Sequence, residues 1–298
     1  MIVVKLQGGL GNQMFQYALG RSLAERNKDK LVFDATFLLD RTPRKDFIFR
    51  NYDLDIFEIN PDFTRLSQMA RIFPVPVFYF FLSRLISKIK HLLGRQKYVR
   101  REEAGFHPDI LQARGNMYLD GYWQSEKYFE AIKDLIRIEF SFGKTETAKI
   151  KEMAEKIIAT ESVCLNVRRG DFVNSPRSIK THGFVGIDYY QRGMEIIAFK
   201  VTDPHFFVTS DDIEWCVENL KIDYPHTFLT HEYRGGKFKD YLTLMTLCKH
   251  FLIPNSSFAW WAAWLSTNPG KIVVAPVQWF NDPSLDPKDI CGSDWIRI

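Results

Sequence analysis

Two adjacent arginines, Arg168 and Arg169, close an apolar run in "VCLNVRRGDFVN". If residues 162–167 form a strand, both arginines stand at its carboxyl end, followed by Gly170 and Asp171. Such a place is costly for guanidinium groups unless they meet an anion. The planar fork of arginine fits a phosphate, and each charge-assisted hydrogen bond is worth roughly 1.5–3 kcal/mol. The plainer alternative pairs one arginine with Asp171 at a domain surface. In "PHFFVTSDDIEWCVENL", Asp211 or Asp212 would cap the helix that follows. The other carboxylate is then left to accept hydrogen bonds from a purine base or a sugar hydroxyl. In "LCKHFLIPNSSFAWWAAWL", Asn255 and Ser256 sit where a helix would begin. Hydroxyls and open backbone N–H groups make an anion site there, with simple capping as the alternative. Trp260, Trp261 and Trp264 follow at helical spacing and read as core rather than as a sugar platform.

A fourth candidate is the opening loop, Gly8-Gly9-Leu10-Gly11. It matches neither the dinucleotide fingerprint nor a phosphate-binding loop ending in Lys-Ser/Thr. Its glycines permit close backbone approach, and Asn12 and Gln13 add neutral donors and acceptors. That chemistry suits sugar hydroxyls better than a diphosphate.

These residues need strands to carry them. Short apolar strands are expected at 2–6, 31–33, 162–167, 205–209, 227–230, 251–253 and 271–275. Helices are expected at 13–27, 188–198 (with Asp188 as N-cap), 212–220, 239–249 and 257–265. A polar helical segment at 144–160, with Ile150, Met153 and Ile157 on one face, is a candidate linker. The stretch 40–142 is less regular. Alternation of this kind implies parallel sheets covered on both faces, with ligands beyond the carboxyl ends of the strands. With 298 residues the chain is long enough for two domains, expected at 1–150 and 151–298.

The formal net charge of +4 is mild and does not call for nucleic acid. Four widely spaced cysteines suggest neither a zinc site nor a disulfide framework. Cys164, Cys216 and Cys248 lie in apolar runs and read as buried thiols. The first residues read as a strand rather than a secretory leader, and no apolar run approaches the length of a membrane span. The expectation is a cytoplasmic protein. Between Phe63 and Arg101, however, nine lysines and arginines occur without one acidic residue. Here Phe78, Phe81, Leu82, Leu85, Ile89, Leu92 and Leu93 repeat with helical period, while Arg84, Lys88, His91 and Arg95 fall mostly on other faces. One reading is a helix packed on its own domain with a solvated basic face. The other is peripheral attachment to the inner face of an anionic membrane.

Taken together, "GGLGNQMFQYA", "VRRGD", "HG" followed by "DYY" (His182 to Tyr190), "TSDD" and "NSSFAWWAAWL" resemble the inverting α-1,2-fucosyltransferases, glycosyltransferase family 11. They occur in that family's order and span the chain. The resemblance implies a GT-B architecture, two Rossmann-like α/β halves facing across a cleft. It implies GDP-L-fucose as donor, held mainly by the C-terminal half, a terminal galactoside (oligosaccharide or lipid-linked glycan) as acceptor, and neither metal nor cofactor. On that pattern Arg168 holds the β-phosphate of the leaving GDP, with Arg169, Asp211, Asp212, Asn255, Ser256, Ser257 and Phe258 on the donor side. Gly9, Gly11, Asn12 and Gln13 take the acceptor side, Asn12 facing the reacting centre. His182, Asp171 and Asp188 are candidates for the base, and late proton loss without a strong base is the alternative. Two positions depart from the family. Asn166 stands where His is common, and Phe172 where Tyr is usual. A binding module without catalysis is the rival reading; a nicotinamide enzyme is disfavoured by the missing fingerprint.

Overall fold

The computed structural model describes residues 1–45, 47–72, 76–101, 104–143, 147–170, 173, 176–181 and 183–298, with backbone only at 72, 76, 77 and 176–178. The chain forms two compact units: Met1–Ser141 with Lys288–Ile290, and Phe142–Pro287 with Cys291–Ile298. The break falls ahead of residue 150 for a physical reason. The polar helix expected to be a linker buries Ile150, Met153 and Ile157 and packs on the first strand of the second unit.

The first unit contains strands β1 (Ile2–Lys5), β2 (Leu31–Asp34), β3 (Asp62–Phe63), β4 (Lys97–Arg100) and β5 (Met117–Asp120). They form one parallel sheet in the order β3-β2-β1-β5-β4. Its helices are α1 (Leu10–Asn27), α2 (Thr36–Leu39), α3 (Arg65–Ile72), α4 (Pro76–Leu92), α5 (Pro108–Gln112) and α6 (Lys133–Glu139). Helix α1 starts at Leu10, earlier than the expected residue 13, and stops where Lys28 turns left-handed at φ 52°. The stretch expected to be irregular therefore supplies three strands and the outer helices.

Three charged side chains are buried at the carboxyl edge of this sheet: Lys5, Asp34 and Asp120. Lys5 Nζ lies 2.8 Å from Asp120 Oδ1. Burial lowers the Lys5 pKa, and Asp120 opposes that shift. Asp34 accepts from Thr36 N at 3.0 Å, from Thr36 Oγ1 at 2.7 Å and from the Tyr118 hydroxyl at 2.7 Å. It also accepts from Ser67 at 3.3 Å and from Ser83 of α4. A buried carboxylate is tolerable only when its lone pairs are met in this way. Ser83 reaches the network from the buried side of α4, which also carries Phe80 and Ser87.

The second unit has strands β6 (Glu161–Val167), β7 (Pro204–Ser210), β8 (His226–Phe228), β9 (His250–Leu252), β10 (Val273–Ala275) and β11 (Ile296–Arg297). They form a parallel sheet in the order β11-β10-β9-β6-β7-β8. Helices α7 (Ala148–Ala159), α8 (Pro176–Thr181), α9 (Ile187–Lys200), α10 (Ile213–Asn219), α11 (Lys239–Leu247) and α12 (Ser257–Leu265) belong with it. Val163, Leu165, Phe206, Val208 and Leu252 fill its core. Trp260 and Trp261 are fully buried and Trp264 nearly so, as core residues rather than a platform. Cys164, Cys216 and Cys248 are buried free thiols. Asp188 is not a cap: Gly186 holds that position, and Asp188 lies in the first turn of α9. Each unit is thus Rossmann-like, a parallel sheet with helices, in keeping with the expected class.

Candidate active site

In the second unit the chain runs from β6 outward to β7 and β8, then returns to place β9 on the other side of β6. Strand order therefore reverses between β6 and β9, and the crevice beyond such a switch point is where open α/β sheets take ligands. Arg168 follows β6 there, and Asn255 and Ser256 follow β9.

Arg168 Nη1 lies 2.8 Å from Asp211 Oδ2, with the arginine side chain 26% exposed. Asp211 Oδ1 accepts from the backbone N–H of Arg169 at 2.9 Å. One carboxylate thus braces the turn and the first guanidinium together. Gly170 belongs to this brace, because a Cβ there would come within 2.2 Å of Asp211 Oδ2. Arg169 turns elsewhere. Its Nε lies 3.2 Å from Asp212 Oδ2, and its guanidinium sits 3.6 Å from the centroid of the Trp215 ring. Arg169, 22% exposed, is thus held by an ion pair and a ring stack, whereas Arg168 is held by an ion pair. Asp211 and Asp212 each meet one arginine side chain. The arrangement bears on the expected helix cap. Asp212 occupies the N-cap position of α10 without a side-chain cap bond.

Asn255 is also structural: buried, it donates from Nδ2 to the Trp279 carbonyl at 3.1 Å. Ser256 is the N-cap residue of α12, and its side chain makes no cap bond. Ser257 and Phe258 are half-buried in the first turn of α12. Asn166, where the family commonly has His, donates to Thr209 Oγ1 at 2.9 Å and ties β6 to β7. Asp171, Phe172 and His182 lie outside the described residues. The chain just beyond them is anchored. Asn281 donates to the carbonyls of Thr181 at 3.0 Å and Ile179 at 2.9 Å, and Gly183 turns at φ 66° where a Cβ would strike Asn281.

The first unit has its own switch point, between β1 and β5. Gly8 turns at φ 78°, and a Cβ on it would fall 2.6 Å from Asn12 Nδ2. Gly9 occupies the N-cap of α1, so Asn12 is not a cap, and Gly11 is buried in the first turn. Asn12 is half-buried, and its Oδ1 accepts from Gln124 Nε2 at 2.7 Å. Gln13 is wholly buried. It donates to the carbonyls of Gly8 at 3.0 Å and Asn51 at 2.7 Å and accepts from Asp53 N–H at 3.0 Å. Its amide holds the loop. Gln16 secures the same turn by bonding Gln7 in both directions and donating to the Gly121 carbonyl.

Sequence reasoning missed Gln16, Trp123 and Gln124. Trp123 holds φ 59°, a left-handed conformation uncommon for a bulky residue, and it directs the chain just before Gln124 reaches Asn12. The available signal was the "GYWQ" that follows the short run "MYLD" at 117–120. No group of three His, Cys, Asp or Glu is placed to hold an ion among the described residues.

A family model described as glycosyl transferase family 11 matches residues 96–298. The chain belongs to glycosyl transferase family 11. A full-length relative agrees: the chain is 32% identical to an alpha-1,2-colitosyltransferase of Escherichia coli over 100% of this chain and 99% of that one. It is 28% identical to the O-antigen biosynthesis glycosyltransferase WbnK of Escherichia coli, covering 98% of this chain and 99% of that one. A galactoside alpha-(1,2)-fucosyltransferase 1 of Rattus norvegicus is 30% identical over 50% of this chain and 41% of its own length. Arg168 and Arg169, at the switch point of the second unit, lie within the span that the family model covers.

Proposed function

We propose that this glycosyltransferase moves L-fucose from GDP-β-L-fucose to the 2-hydroxyl of a terminal galactoside, with inversion, giving an α-1,2 linkage. The observation that carries the reading is that Arg168 follows β6 and the first turn of α12 follows β9, the two strands that flank the switch point of the second unit. That combination offers a guanidinium, Ser256, Ser257 and backbone N–H groups to a diphosphate.

Breaking the sugar–phosphate bond places negative charge on the leaving diphosphate and positive charge on the ring. A guanidinium fixed where negative charge grows stabilises the transition state more than the ground state. In the structure Asp211 holds Arg168 at Nη1, which orients it without burying it. The acceptor hydroxyl attacks from the opposite face as the sugar–phosphate bond breaks; GDP leaves with the bonding electron pair, and the hydroxyl proton is lost late, to solvent. Asn12, braced by Gln124, is assigned to the sugar and acceptor hydroxyls. The reaction needs no metal in this scheme, since the arginine takes the role of the cation.

A second reading keeps the mechanism and changes the sugar. A relative matched along the whole chain is named for colitose rather than fucose. The acceptor reading includes lipid-carried glycans handled in the cytoplasm, because a relative of similar coverage is named for O-antigen biosynthesis. A screen of GDP-fucose, a colitose donor and other nucleotide sugars against galactosides, read by mass spectrometry, tests all of this. Transfer of fucose supports the first reading, and transfer of colitose alone supports the second. GDP binding without transfer from any donor would leave a binding module.

A further inference from the structure

The apolar stripe on α4 is not packed on its own domain. Phe78, Phe81, Leu85, Ile89 and Leu92 are 57%, 63%, 55%, 46% and 86% exposed. They follow one another at intervals of three or four residues, so they lie along one side of the helix. Phe80, Ser83 and Ser87, buried and held through Ser83 to Asp34, occupy the opposite side. The fold thus turns the more polar side of α4 inward and leaves its oily side out. Leu93, just past the helix, and Met69, on the neighbouring α3, are also exposed.

Charge identifies what would cover this face. Residues 63–101 hold nine basic side chains and no acidic one, which leaves the rest of the chain net negative. Lys88, Lys90, His91, Arg95 and Lys97 are exposed beside the stripe, and so are Arg65 and Arg71 on the α3 side. An apolar stripe flanked by cations matches a layer with anionic headgroups above hydrocarbon. Helix α4 cannot be a span, because one of its sides is committed to the domain; no helix among the described residues is long and apolar enough to cross a membrane.

We propose that α4 docks the protein on an anionic bilayer, lying in the plane of the interface with Phe78, Phe81, Leu85, Ile89 and Leu92 inserted and the basic residues at the headgroups. Docking of this kind depends on the surface of the first unit alone and stands whichever sugar is transferred.

The test is co-sedimentation of the full chain with vesicles of phosphatidylcholine and of phosphatidylcholine mixed with phosphatidylglycerol. The parent should bind the mixed vesicles, bind neutral ones at least about tenfold more weakly, and be released by salt. Phe81→Ser with Leu85→Ser, and separately Lys88→Glu with Lys90→Glu, should each weaken binding about tenfold or more. All four side chains are exposed, so the fold should survive. A dye on Leu92→Cys gives a second readout, blue-shifting on the mixed vesicles. No binding by the parent, or variants that bind as the parent does, would overturn the proposal. So would a concentration-dependent dimer that the Phe81→Ser, Leu85→Ser variant abolishes while vesicles have no effect.

Discussion

Replacing each of the two adjacent arginines by alanine should have opposite consequences. Arg168 pairs with Asp211, the two side chains being 26% and 16% exposed. Pairs this accessible contribute about 1 kcal/mol or less, and Asp211 keeps its bond from Arg169 N–H when the Arg168 side chain is gone. Arg168→Ala should therefore fold and melt within a few degrees of the parent. If its guanidinium meets the leaving diphosphate, turnover should fall roughly 100- to 1,000-fold, the usual cost of losing one fixed donor to a developing oxyanion. Arg169 has the reverse profile. It combines an ion pair to Asp212 with a stack at 3.6 Å on Trp215, together about 1–2 kcal/mol. Arg169→Ala should lose thermal stability and keep turnover within about tenfold. The assay is GDP release with whichever donor is active, beside calorimetric GDP affinity and a melting curve for each variant. Equal losses of turnover in the two variants would refute the division of roles. Parent-like turnover in folded Arg168→Ala would remove the arginine from the mechanism altogether.

Asn12→Ala and Gln124→Ala should both cut turnover about tenfold or more while GDP affinity stays within a few-fold, since each breaks the bond that aims the Asn12 amide. Should GDP affinity collapse in either, the opening loop would have to be reassigned to the phosphates. Transfer should continue in excess EDTA, because Asp211 and Asp212 already serve as counterions to arginine; restoration by a divalent ion after chelation would count against the arginine scheme. His250 has its pKa lowered, chiefly by burial, from the ordinary 6.5, so the folded state resists a proton that the unfolded chain accepts. Stability should accordingly rise with pH up to about 6.5 and be lost below it. Melting curves between pH 5 and 8 should show that slope, and a folded His250→Gln variant should flatten it; an unchanged slope would exclude His250 as its source.

The sequence by itself determined the elements that repeat a strong local pattern. Strand β6, helix α7 with Ile150, Met153 and Ile157 inward, and helix α12 with its tryptophans were all legible. Long apolar runs and helical periodicity reflect burial that any neighbour would satisfy. The family motifs pointed likewise to the loops after β1, β6, β7 and β9. What only the tertiary structure decided was which polar group faces which. Arg168 and Arg169 are indistinguishable as neighbours in sequence. They part because Asp211 and Asp212 arrive from the adjacent strand, in register at Val167 and Ser210, and because Trp215 lies one helical turn further on. Gln13 looked as available as Asn12 until Asn51 and Asp53 closed around it. Strands β3, β4 and β5 are two to four residues long, too short for periodicity to register, and pairing with strands distant in sequence makes them. The outward turn of α4 has the same origin. The helical repeat of Phe78, Phe81, Leu85, Ile89 and Leu92 would by itself favour packing that side inward, but it is the side with Phe80, Ser83 and Ser87 that is buried, Ser83 donating to Asp34. Which side of that repeat meets the domain is set by what the neighbouring elements offer, and that is not written in the helix's own period.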